Sequence, residues 1–136
     1  MHCGDTLLFD FDVINPSVQI DASATPNLHL WILLTEPRSS DHLCVIVSVT
    51  TLRRNSDLTV VLRSRDHPRI THDSVVRYAD AQIVDAGDLD RVLKLGKAKT
   101  REVCAPQMLK RIQDGIGVSV FVPKRIANFC SEQWKK

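Results

Sequence analysis

The chain has 136 residues, of which 43% are hydrophobic and 25% charged, with a formal net charge of +2. That size and balance fit one domain that buries a core without staples. They exclude a disordered chain, and no apolar run reaches the roughly 18–20 residues of a membrane-spanning helix. The start, Met1-His2-Cys3-Gly4-Asp5, has no basic n-region or long apolar stretch. The expectation is therefore no secretory signal and a cytoplasmic location.

Taken in order, Thr6 to Phe11 reads as a first strand. Asn15-Pro16 through Thr25-Pro26-Asn27 is a long polar connection of a kind uncommon inside compact domains, read either as a flexible loop over a site or as plain disorder. His29 to Thr35 and Leu43 to Val49 are nearly continuous apolar runs, expected as buried strands. Leu58 to Leu62 and Ser74 to Val84 predict two more. Short strands separated by turn signals point to a small barrel or sandwich.

The character then changes. Asp85 or Asp88 is placed to cap a short helix with Leu89, Val92 and Leu93 on one face. Thr100 to Cys104 reads as extended, and Ala105 to Ile116 is the clearest helix, with Pro106 near its start and Gly115 at its end. Val118 to Val122 is short and apolar, and Pro123 to Phe129 begins a last basic helical turn. The expected architecture is mainly β with C-terminal helices: a small β-rich barrel over residues 1–93, and a basic, mostly helical extension over 94–136 packed on the same domain.

Charge is unevenly spread. Residues 1–50 hold one arginine and six acids, whereas residues 94–136 hold ten basic and three acidic groups. Such asymmetry steers an anionic partner to one side of the molecule. The four cysteines (Cys3, Cys44, Cys104, Cys130) form no C-x-x-C pair, so reduced thiols and no zinc knuckle are expected.

Chemistry concentrates in Arg63 to Ser74, which packs His67, His72, Arg63, Arg65 and Arg69 into a dozen positions. Imidazoles exchange protons near neutral pH, and guanidinium forks fit phosphate oxygens. That combination suits phosphodiester cleavage by general acid and base, and it equally suits a solvated turn at Pro68. His29 opens an apolar strand beside the long polar connection, and Thr50 and Thr51 end the next strand. Arg53 and Arg54 add charge just after it. A metal site from Asp66, His67, His72 and Asp73 lacks any fixed ligand spacing, and no glycine-rich phosphate loop is present, so no metal and no cofactor are expected. Seven aromatic residues are few for a base-stacking platform.

The order of these pieces resembles the MazF/PemK toxin family. Gly4-Asp5 before an apolar strand is similar to the family's opening Gly-Asp. His29-Leu30 stands where the family has Arg-Pro, Leu43 to Thr51 matches its strand ending in threonine, and Ser74-Val75-Val76 through Asp88-Leu89 matches its strand leading to a capped helix. The resemblance spans roughly residues 4–93. It implies an SH3-like barrel, an endoribonuclease acting on single-stranded RNA, a homodimer, and an antitoxin partner. The resemblance marks His29 and Thr50 as candidate catalytic positions, and the chemistry of the Arg63–Ser74 loop adds His72, with His67 in reserve. Arg65, Arg69, Arg53 and Arg54 are the candidate phosphate-binding groups. The family's arginine is absent at the position His29 occupies, which leaves two expectations open: His29 takes over proton transfer, or the fold serves binding alone.

Overall fold

A computed structural model describes residues 1–14 and 25–135. Most of the long connection expected between the first two strands lies outside the described residues. Seven strands form one antiparallel sheet: β1 (Thr6–Phe9), β2 (His29–Leu33), β3 (Leu43–Thr51), β4 (Val61–Leu62), β5 (Ser74–Val76), β6 (Gln82–Asp85) and β7 (Ala98–Arg101). Three helices accompany them: α1 (Ala86–Lys94), α2 (Pro106–Gly115) and α3 (Lys124–Gln133). The strand order is β4-β5-β3-β2-β1-β7, with β6 pairing the first half of β3. Its end strands β4 and β7 are not paired with each other, so the sheet is open. The protein is mainly β, with its helices following the sixth strand.

The unbroken apolar character of β2 and β3 has a simple cause: the sheet is covered on both sides. Side chains alternate between faces along a strand. Leu30, Ile32, Val45, Val47 and Val49 pack on one side with Met108, Ile112, Ile126 and Phe129 of α2 and α3. Trp31, Leu33, Cys44 and Ile46 pack on the other with Leu7, Phe9, and Leu89 and Val92 of α1. The segment beyond residue 94 therefore supplies both an edge strand, paired to β1, and one side of one core.

Several elements differ from the expected ones. β1 stops at Phe9 because the Asp10 carboxylate accepts from the backbone N–H groups of Asp12 (3.0 Å) and Asn27 (2.9 Å), turning the chain into a 3₁₀ turn over Phe11–Ile14. The strand expected from Leu58 shrinks to Val61–Leu62. Asp57 accepts from both the backbone N–H and the hydroxyl of Thr59, and such local bonds compete with a ladder. Leu58 is left exposed. The expected Ser74–Val84 strand is broken into β5 and β6 by a 3₁₀ turn over Tyr78–Asp80. Val118–Val122 is an exposed turn, and α3 runs on to Gln133.

Of the two capping candidates, Asp85 is the one used: its side chain accepts from the Gly87 N–H at 2.8 Å. Asp85→Ala is expected to cost about 1 kcal/mol of stability, the usual value of a lost N-cap. A urea unfolding midpoint indistinguishable from the parent would show that the bond contributes nothing.

Candidate functional site

Three parts of the chain meet at one end of the sheet. β2 begins there with His29, β3 ends there with Thr50 and Thr51, and the loop between β4 and β5 brings Pro68 to His72. Together with Leu8, Leu28 and Leu30 they line a cleft of about 490 Å³. His29, Thr50, Arg69 and His72, all singled out from sequence, are gathered there from positions up to 43 residues apart.

The loop owes its shape to its own polar groups. Asp66 accepts from the Arg63 N–H (2.7 Å) and is reached by the Arg111 guanidinium of α2 (3.3 Å). Arg63 pairs with Asp73. His67 is 2% exposed and does not line the cleft. Its Nε2 lies 2.6 Å from the Glu102 carbonyl oxygen, and its Nδ1 accepts from the Arg69 N–H at 3.0 Å. A carbonyl only accepts and an N–H only donates, so the ring is held as the neutral Nε2–H form with both nitrogens engaged. The expectation of a reserve catalytic role for His67 gives way here to a buried strut, because neither ring nitrogen is open to a substrate. We predict that His67→Ala loosens the loop: proteolysis between Arg63 and Ser74 should accelerate, and a cleavage pattern equal to the parent's would contradict the strut.

His72 is the reverse case. It is exposed, with Nε2 2.8 Å from Thr51 Oγ1 and Nδ1 3.2 Å from Thr71 Oγ1. Hydroxyls both donate and accept. The two threonines can therefore hold a neutral imidazole, one giving and one taking a proton, or an imidazolium that donates to both. A ring supported in either charge state is suited to passing protons. The sequence directed attention to Thr50; it is Thr51 that touches His72. No residue pattern separates the two threonines; it is the register pairing Thr51 with Ser74 that sets Thr51 beside the loop's last residues.

His29 is half-buried, its Nδ1 at 3.4 Å from the Val49 carbonyl. Strand alternation puts His29 on the Trp31 face of the sheet and Thr50 on the Ile46 face, which is the same one. Thr51, and with it His72, belongs to the Val49 face. The two imidazoles thus stand on opposite faces of the sheet's end, and His29 also borders a separate depression with Trp31, Ser48 and Arg77.

Among the other expected phosphate-binding residues, Arg69 is exposed on the cleft wall, and Arg53 lines a neighbouring depression. Arg65 and Arg54 are exposed and line neither. No group of three or more potential metal ligands occurs among the described residues.

The cysteines are chemically quiet. Burial pushes the Cys44 thiol up to about 12, the nearby Asp85 charge adding to it; burial likewise raises Cys104 to about 11 and Cys130 to about 12. A nucleophilic thiolate is scarce at neutral pH for such groups. At pH 8 these three are expected to be alkylated by iodoacetamide far more slowly in the folded protein than in urea. Equal rates in the two conditions would contradict the burial.

No family model matches the chain, and no curated protein matches it either. No helix among the described residues is long and apolar enough to cross a membrane.

Proposed function

We propose that this protein is an endoribonuclease that cleaves single-stranded RNA by general acid and base catalysis, on an SH3-like barrel of the MazF/PemK kind. The observation that carries the proposal is the single cleft lined by His29, Thr50, Arg69 and His72. In such a reaction the 2′-hydroxyl attacks the adjacent phosphorus and the bond to the 5′-oxygen breaks, leaving a 2′,3′-cyclic phosphate and a 5′-hydroxyl. One group takes the 2′-proton and another gives a proton to the departing oxygen. Attacking and departing oxygens lie in line across the phosphorus, so base and acid must approach from opposite sides. His29 and His72, both bordering the cleft, are the groups to which the proposal gives these two roles. Arg69 is the group placed to offset the charge on the phosphate.

The resemblance to the toxin family extends the proposal to a cytoplasmic homodimer held in check by an antitoxin. Incubation of purified protein with a long single-stranded RNA in EDTA tests the reaction. A ladder of fragments with cyclic phosphate ends is expected; no cleavage at any protein concentration would sink the proposal.

A second reading is favoured by one departure, the histidine at the position of the family's arginine. On it the fold is a non-catalytic module that binds nucleic acid or a protein partner. RNA binding without turnover, weakening with salt at a log–log slope of roughly −0.7 per phosphate contacted, would favour that reading.

A further inference from the structure

Beside the cleft lies a second depression of about 330 Å³ that shares Thr50 and Thr51 with it. Its far wall is Phe121, from the turn between α2 and α3, with the ring 56% exposed. With the exposed Val118 and Val120 it forms an apolar patch on this turn, apart from the cores that take the other phenylalanines. Around it are Arg53, Arg77 and Asn55. Arg77 is held by Asp80 at 3.1 Å, whereas Arg53 makes no ion pair among the described residues.

The Phe121 turn is fixed in place. Ser119 donates its hydroxyl to Asp57 at 2.6 Å and accepts from the Phe121 N–H at 3.1 Å. Partial burial works against the charge on Asp57, yet the bonds it accepts from Ser119 and Thr59 hold it below the usual carboxylate range. The turn thus stays pinned to the strand β3 side of the molecule across the neutral range. An aromatic face held rigidly loses little entropy when a second ring stacks on it.

We propose that this depression is a base-binding subsite, in which a nucleotide flanking the cleaved phosphodiester stacks on Phe121. Asn55 supplies both a donor and an acceptor to the base edge, and Arg53 faces the adjoining phosphate. The proposal rests on the reading of the neighbouring cleft as an RNA site, since the shared Thr50 and Thr51 make the two continuous. It adds a role for the turn at residues 118–122, which lies outside the stretch that resembles the toxin family.

The test uses the full chain and two measurements. The first is binding of a fluorescent single-stranded 2′-O-methyl RNA, which lacks the free 2′-hydroxyl and cannot be cut. The second is cleavage of the corresponding unmodified RNA. Phe121→Ala is expected to weaken binding about tenfold, the scale of one lost stacking contact, with Phe121→Trp restoring it. His72→Ala is expected to slow cleavage by about 10²–10⁴-fold and to weaken binding less than Phe121→Ala does. Binding by the parent that depends on Phe121 without any cleavage supports the subsite while removing the nuclease reading. Unchanged binding and cleavage in Phe121→Ala overturns the subsite and leaves the nuclease reading standing. If the parent binds no single-stranded RNA, both fall. Unfolding midpoints of each variant, expected near the parent's because Phe121 is exposed, separate lost stacking from lost structure.

Discussion

Single replacement of His29 or His72 by alanine is expected to slow RNA cleavage by about 10²–10⁴-fold, the range attributed to one positioned acid or base. The double variant should lose little more than the worse single one, because two groups that act in one proton relay are not additive. Thr51→Val tests the support of His72. It removes a hydroxyl 2.8 Å from Nε2 while nearly keeping the side chain's shape, and a loss of cleavage with unchanged RNA binding is expected. Thr50→Val, whose side chain is on the opposite face, should affect His72 less. Cleavage that survives His29→Ala and His72→Ala together would leave the reaction class intact and remove both assignments.

The second large effect concerns the fold. Gly115 closes α2 against Tyr78, whose hydroxyl donates to the Ile112 carbonyl at 2.8 Å in a fully buried position. A Cβ at residue 115 would sit 1.9 Å from that hydroxyl oxygen and 2.6 Å from the ring carbon bearing it. Neither atom is the end of a flexible chain, so the helix must shift. Gly115→Ala is expected to destabilise by about 3 kcal/mol, the upper end for overpacking in a tight core. Tyr78→Phe removes the oxygen and costs about 1 kcal/mol for the lost bond. The double variant should be more stable than the sum of the two losses predicts, since the worst contact is gone. Strict additivity in urea unfolding would show that the glycine and the tyrosine do not touch.

This pair also explains why the expected strand from Ser74 to Val84 was only partly legible. Nothing local to Arg77–Ala81 announces a break. Tyr78 turns inward because α2, more than 30 residues later, offers both a carbonyl and a glycine-sized gap. β2, β3 and α2 were readable because their signals are local: apolar runs covered on both faces, a proline at the helix start, a glycine at its end. Val118–Val122, apolar in sequence, gives no sign of its exposure, yet Val118 and Val120 are 70% and 88% exposed. At the site, the grouping of His29, Thr50, Arg69 and His72 followed from chemistry type and position at strand ends. The burial of His67 did not, because its partner is a backbone carbonyl 35 residues away, and a backbone carbonyl carries no residue signature.

That carbonyl has a further consequence. Glu102 accepts from Thr6, in the first strand, as well as from His67, in the loop that carries Arg69 and His72. A chain growing on the ribosome makes β1 and the loop early and meets their common tie only when residue 102 has left the exit tunnel. Contacts so distant in sequence form late, after most of the local structure. A nascent chain shorter than that has all of the cleft's polar residues, with the loop still lacking its tie to Glu102. The cleft therefore reaches its final form only once every strand of the sheet has been made.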